Sequence, residues 1–334
     1  RRGQRAAPVT AGPGIRPGTQ PGGVSRWADL GGPLHYLDFG GPAGGPLIVG
    51  VHGLGGSAAN WVAVAPLLTA SCRILAPDLA GHGLTQSRGR GTGVSASRAL
   101  LHQFLAWASP GPAILMGNSM GGMISLLEAS AHPATVAGLI LVDPALPFLP
   151  AQLDPLVTAV FVLYLLPGIG RAVTARQRRL PPARQVAGVL RLCCAEPSRV
   201  AADVIARHVE VLDQRARFTG AGQDFSTAIR SVVATAGGPG RRAYQRRIHS
   251  VACPVLLIHG TGDRLVPVEA ARAAVRRNPG WTLAEITGVG HVPQLEAPVS
   301  TACVITGWLR AAGRSAAEAA APGRREQARP AAAG

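Results

Sequence analysis

Ser119 stands in Gly117-Asn118-Ser119-Met120-Gly121, a G-x-S-x-G pattern that follows the apolar run Ala113–Met116 and opens a helical pattern. Such a turn forces the serine into a strained backbone conformation, and its flanking glycines let strand and helix approach without a Cβ clash. The hydroxyl is thereby exposed above a sheet. A serine hydroxyl is a weak nucleophile at neutral pH and needs an imidazole within reach to take its proton. Among nine histidines, His291 in Gly288-Val289-Gly290-His291 has the fitting setting, a glycine-rich loop beyond the last expected strand. His52, His82 and His259 read as structural residues of turns and strand ends.

The base in turn needs an acid that fixes its tautomer and stabilises the imidazolium. Asp263 follows a strand and completes the chain order Ser119, Asp263, His291, while Asp143, at the end of Leu139–Val142, is the alternative acid. Donors for a developing oxyanion are expected from the main-chain N–H groups of Met120 and of Leu54, in the loop His52-Gly53-Leu54-Gly55-Gly56. The chemistry these residues define is two-step acyl transfer. It needs no metal and no organic cofactor.

Elements able to position these residues recur along the chain. Short apolar runs alternate with helical patterns, the signature of a mainly parallel sheet covered by helices. Strands are expected at Leu34–Phe39, Leu47–Val51, Arg73–Ala76, Ala113–Met116, Leu139–Val142, Val255–Ile258 and Thr282–Ile286. Helices are expected at Ala58–Leu68, Val94–Ala108, Met120–His132, Val268–Arg277 and Val299–Ala311, the third stopping before Pro133. Residues 147–250 break the alternation with helical periodicity alone and read as an insertion. The core domain is then 26–146 with 251–313. Residues 1–25 and 314–334, rich in Arg, Gly, Pro and Ala, read as disordered tails.

Composition bounds the alternatives. A chain of 334 residues that is 47% hydrophobic can bury a substantial core. Its net charge of +16 comes from 33 Arg without a single Lys, which fits coding bias in a GC-rich genome better than a nucleic-acid binder. The excess lies on the tails and on the insertion, where 15 Arg face six acids, whereas residues 27–146 with 251–313 hold nine of each. With aromatics at only 4%, no stacking platform for nucleic acid is expected. Five cysteines form no zinc-like spacing, and their odd number favours reduced thiols and a cytoplasmic setting. Arg1-Arg2 is followed by no apolar segment, so no export signal is read. The longest apolar stretch, Leu156–Leu166, is about half of the roughly 20 residues a spanning helix needs. Followed by Arg171, Arg176, Arg178 and Arg179, it allows a weak membrane-surface contact through a basic cap.

His52-Gly53, Asn60-Trp61, Pro77-Asp78-Leu79 with Gly81-His82-Gly83, the serine elbow, Gly262-Asp263 and Gly290-His291 fall in one order. In that order the chain resembles the α/β-hydrolase superfamily over about residues 34–311. The resemblance implies a mainly parallel central sheet with a helical cap inserted after strand 6, and triad roles for Ser119, Asp263 and His291. It implies a small-molecule carboxylic ester as substrate, with an apolar acyl or alkyl part. Gly-Asn-Ser-Met-Gly-Gly is also similar to the elbow of hydrolases that cleave carbon–carbon bonds of ring-fission products, which makes Asn118 a candidate substrate-binding residue. Those enzymes carry Trp after the histidine, where this chain has Val292. Lipase, acyltransferase and catalytically silent ligand-binding relatives are further alternatives.

Overall fold

The computed structural model describes residues 19–20, 22–147, 154–166, 168–218 and 220–320. Nine strands form one sheet: β1 (Thr19–Gln20), β2 (Gly23–Asp29), β3 (Pro33–Gly40), β4 (Leu47–Val51), β5 (Arg73–Pro77), β6 (Ala113–Asn118), β7 (Val136–Val142), β8 (Val255–Gly260) and β9 (Trp281–Ile286). Their spatial order is β1-β2-β3-β5-β4-β6-β7-β8-β9. The six from β5 to β9 are parallel, and β1, β2 and β3 add an antiparallel edge.

The parallel strands are apolar on both faces because helices cover both sides. Along β7, Leu139 and Leu141 enter one buried cluster while Ile140 and Val142 enter the other. Helices α1 (Val94–Ala108), α2 (Met120–Ala131) and α9 (Val268–Arg277) cover the first face. The second is covered by α11 (Pro298–Ala320) and by a short 3₁₀ turn, Ala58–Trp61, which buries Trp61. Helix α2 ends just before Pro133, as its missing N–H and its clash with the preceding residue require.

Between β7 and β8 lie α3 (Pro155–Leu165), α4 (Ile169–Arg178), α5 (Pro182–Cys193), α6 (Ala202–Arg215), α7 (Ala221–Ala236) and α8 (Arg241–His249). The insertion is helical, as expected. Its last helix belongs to the core, however: Tyr244 and Ile248 are buried in the α1–α2 cluster, and Tyr244 Oη donates to Ala145 O at 3.1 Å. The part of the insertion outside the core therefore ends near residue 240. The insertion follows β7, the seventh strand in chain order once the two-residue β1 is counted and the sixth without it.

Three other boundaries move. Residues 19–25, read as tail, carry β1 and the start of β2, which pairs with β3 from Val24↔Asp38 to Asp29↔Pro33. That strand buries only Ala28 well, so partner hydrogen bonds rather than hydrophobic alternation define it. Residues 1–18 lie outside the described residues. The expected helix Ala58–Leu68 is two 3₁₀ turns, Ala58–Trp61 and Ala65–Leu67, because Pro66 cannot donate to an α-helical ladder. Helix α11 continues to Ala320, beyond the tail boundary at 313, on a run of good helix formers; residues 321–334 lie outside the described residues. Among the described residues, no helix is long and apolar enough to cross a membrane.

Candidate active site

The turn from β6 to α2 puts Ser119 at φ 52° and ψ −117°, a left-handed conformation that L-residues adopt rarely. Packing imposes it. A Cβ on Gly121 would lie 2.0 Å from Val51 O, and one on Gly117 would lie 2.5 Å from Gly121 O, so only glycine lets α2 approach the sheet this closely. The main chain is then locked from both sides. Ser119 N–H donates to Val142 O at 3.1 Å, and its carbonyl accepts from Ala145 N–H at 2.9 Å.

His291 is brought to the same sheet edge by the loop after β9. Asn118, the residue before the serine, donates its side-chain amide to His291 O at 3.1 Å and to Val142 O at 3.0 Å. Its amide nitrogen, buried and engaged by two main-chain carbonyls, faces the protein. That nitrogen ties the histidine loop to the elbow. His291 Nδ1 lies 2.7 Å from Asp263 Oδ2. An ionised carboxylate only accepts, so Nδ1 carries the proton and Nε2 keeps a lone pair. Asp263 Oδ1 accepts from Leu265 N–H at 2.7 Å and Val266 N–H at 3.1 Å. Burial pushes the Asp263 carboxyl up, but the charge and hydrogen bond of His291, with His259 and the Val266 N–H, outweigh it and hold it below the ordinary value.

A second acid escaped the sequence reading. Glu296, buried in α10 (Pro293–Glu296), accepts Gly290 N–H at 2.8 Å, Ala195 N–H at 3.1 Å and Glu196 N–H at 2.8 Å. The first donor precedes His291; the other two follow α5. His291 N–H also donates to Cys193 O at 2.6 Å. The histidine loop and this joint of the cap are therefore one hydrogen-bonded unit. A buried Glu five residues after the histidine was the available signal, but its partners lie about 100 residues away in sequence.

The loop expected to supply an oxyanion donor lies against the elbow. A Cβ on Gly53 would be 3.2 Å from Ser119 Cβ. Gly56 N–H bonds to Gly53 O at 3.1 Å and closes a turn that leaves Leu54 N–H unused by the turn itself. Met120 N–H opens α2, where no earlier helical carbonyl is available to it. His52 is structural, as read: its Nε2 accepts Leu79 N–H at 3.0 Å, so its Nδ1 donates to Gly53 O at 2.8 Å. Burial keeps it neutral by lowering its pKa.

Asp143 ends β7 fully buried, at φ 43°. Its Oδ1 accepts Gly260 N–H at 3.0 Å, and the imidazole bonded to Asp263 lies on the other carboxylate. A further cluster, Glu128 with Arg98, His102 and His132, lies on α1 and α2; there the Arg98 guanidinium already supplies a cation, 3.1 Å from Glu128 Oε2. Rival thiol nucleophiles are disfavoured: burial raises the pKa of Cys193 and pushes Cys194 up to about 12.

A helix-covered, mainly parallel sheet with a serine on a strained strand-to-helix turn defines a hydrolase scaffold. Residues 48–302 match the profile of the alpha/beta hydrolase family, and the chain belongs to that family. It is 29% identical over 272 residues to a pimeloyl-[acyl-carrier protein] methyl ester esterase of Aromatoleum aromaticum, covering 79% of this chain and 98% of that one. A monoacylglycerol lipase of Xenopus laevis is 22% identical over 264 residues, covering 78% of this chain and 74% of the lipase. The haloalkane dehalogenase DbeA of Bradyrhizobium elkani superposes with a TM-score of 0.72 at 18% identity, over 87% of this chain and 98% of that one. At that identity the likeness is one of fold.

Proposed function

We propose that the chain is a serine hydrolase that cleaves a carboxylic ester with an apolar acyl or alkyl part. The 2.7 Å contact of His291 Nδ1 with Asp263, on a loop that Asn118 fastens to the Ser119 elbow, carries this reading. In it, His291 Nε2 takes the Ser119 proton as Oγ attacks the ester carbonyl. Met120 and Leu54 N–H groups receive the oxyanion, the alcohol leaves with the proton, and a water activated by His291 releases the acid. Asp263, not Asp143, is the triad acid in this scheme. The esterase and lipase named above support an ester over the carbon–carbon bond of a ring-fission product.

Covalent labelling by a fluorophosphonate tests the nucleophile. Wild type labels and hydrolyses p-nitrophenyl esters, with rates rising along an acyl-length series and none on a ring-fission dienoate. Ser119→Ala remains folded, does not label, and loses roughly 10⁴-fold or more in kcat. Labelling that persists in Ser119→Ala would refute the assignment.

A second reading concerns how the ester arrives. Val162, Leu163, Leu166 and Ile169, on and between α3 and α4, are each at least 40% exposed, and Arg176, Arg178 and Arg179 follow on the exposed end of α4. We infer that this apolar, basic face rests weakly on an anionic lipid surface. Cosedimentation with anionic but not zwitterionic vesicles is the expected result; equal binding to both or to neither contradicts it.

A further inference from the structure

The elbow and the histidine explain one of the two carboxyl groups beneath them and leave the other. Ligand atoms of Asp143, His259 and Asp263 lie within 4.8 Å of one another, all in buried or nearly buried side chains. Two carboxylates this close and this dry cannot both be charged, because the second negative charge would be uncompensated in a medium of low dielectric. The question is which one keeps a proton.

The surrounding donors answer it. Asp263 accepts two main-chain N–H groups and the His291 imidazole. Asp143 accepts one, Gly260 N–H, on Oδ1; its Oδ2 is buried and has no donor among the described residues. Nor can His259 supply one: its Nε2 proton goes to Val266 O at 2.9 Å, leaving 3.5 Å to Asp143 Oδ1 and 3.6 Å to Asp263 Oδ2. An orphaned carboxyl oxygen beside an ionised carboxylate is satisfied when it is itself the O–H donor.

We propose that Asp143 is held as a neutral carboxylic acid whose Oδ2–H donates to the Asp263 carboxylate, making it a positioning residue for the triad acid. The proposal rests on Asp263 being that acid. Three sets of groups bear on the pair: His259 on β8 lies beside both carboxyls, the charge of Glu296 on α10 acts on Asp143, and His291 bears on Asp263, whose charge also reaches Cys193. Burial first, then Asp263 and the more distant Glu296, push the Asp143 carboxyl well above its ordinary range. The left-handed backbone at φ 43° is one that Asp tolerates better than most side chains, and so does Asn.

The consequence is a tuned base. A donor on Asp263 draws charge from that carboxylate and so weakens its hold on the Nδ1 proton of His291. The proton is observable without any activity: the infrared difference spectrum of full-length wild type minus Asp143→Asn at neutral pH should contain the carbonyl stretch of a protonated carboxylic acid, shifting in ²H₂O. Absence of that band overturns the neutral state. Asp143→Asn keeps a donor and carries no charge, so its fluorophosphonate labelling rate and the acidic limb of its pH profile should match wild type. Were Asp143 ionised, the same change would move that limb to lower pH and overturn the proposal. Asp143→Gly relieves the backbone and removes the donor; labelling should slow about tenfold, the worth of one hydrogen bond to a charged group, and the limb should move up. Wild-type rates in Asp143→Gly would remove the positioning role. A wild type that never labels would instead defeat the serine-hydrolase reading and leave the infrared result standing.

Discussion

The two halves of the cap are attached to the core by different physics. The second half, α5 and α6, is sewn to it by polar bonds around the candidate site. Glu296 receives Ala195 and Glu196 N–H, Arg199 Nη1 donates to Gly288 O at 2.8 Å, and Arg215 reaches both Gly81 O and Gly83 O. Val186, Leu190, Val204 and Val211 continue the core cluster beneath. The first half, α3 and α4, packs on itself and mainly on α7, through Tyr164 against Phe225 at 5.2 Å and Thr174 beside Gly222, and its polar ties are fewer and more exposed: Arg264 pairs with Asp154, just before α3, at 3.2 Å, and Arg178 Nη2 donates to Phe218 O at 3.1 Å. Its outer residues are apolar and exposed. The second half is thus bonded directly to the histidine loop, while the first half meets the rest of the protein mainly through α7. Displacing α5 would break the bond from His291 N–H to Cys193 O, whereas displacing α3 and α4 would not.

The strongest way to break this contrast is to remove Glu296. Glu296→Ala leaves three main-chain N–H groups without their acceptor, of which that of Gly290 is buried and costs about 1–3 kcal/mol. The expected outcome is a lowered denaturant midpoint together with a fluorophosphonate labelling rate that falls by an order of magnitude or more. Because Gly290 N–H is one of the three, the loss should appear in kcat more than in KM. Unchanged labelling in a destabilised protein would mean that the brace only supports the fold.

Acid should loosen the sewn half first. His82, buried between Gly81 and Gly83 beneath Arg215, is pushed down to about 3 by burial, with His52 and Arg215 adding to the effect. His208 on α6 is lowered too, chiefly by burial. A depressed folded pKa means that the neutral form is the one the fold prefers. The stabilisation is therefore fully present above the unfolded value of 6.5 and is lost as pH falls from there toward about 3. Asp78, held below 3.8 because His35 and His52 outweigh its burial, loses its own contribution only at still lower pH. Hydrogen exchange should therefore rise in α6 between pH 6.5 and 4 while α3 and α4 stay level, and His82→Asn should flatten the rise. Parallel increases in both halves would erase the distinction.

The sequence made the site more legible than its support. Ser119, Asp263 and His291 each sit in glycine-bearing turns with a local signature, and the buried strands read directly from runs such as Leu139–Val142. Strand β2 did not, because its pattern Gly23–Asp29 is an edge with one well-buried residue and its stability comes from pairing with β3. The bonds made by Glu296, Asn118 and Arg215 are not legible in sequence for a shared reason: their partners are main-chain atoms distant in sequence, and main-chain partners leave no residue-type pattern. Helix α8 was placed in the cap because helical periodicity does not say which layer a helix faces; Tyr244 and Ile248 face α2.

The smallest effect on stability belongs to the first half of the cap, and it isolates what that half is for. Leu163 is 44% exposed and Ile169 43% exposed, so replacing both with Glu removes little buried area and should shift the unfolding midpoint by no more than about 0.5 kcal/mol. Hydrolysis of a short, soluble p-nitrophenyl ester should be unchanged, because no bond in the Ser119–His291–Asp263 set involves either residue. Binding to anionic vesicles should be lost, since each change replaces an apolar contact with a like charge to the lipid. Turnover of a long-chain ester presented in such vesicles should fall with it. If the double variant instead loses soluble-ester activity, α3 and α4 shape the acyl pocket itself, and the two halves of the cap differ in packing but not in purpose.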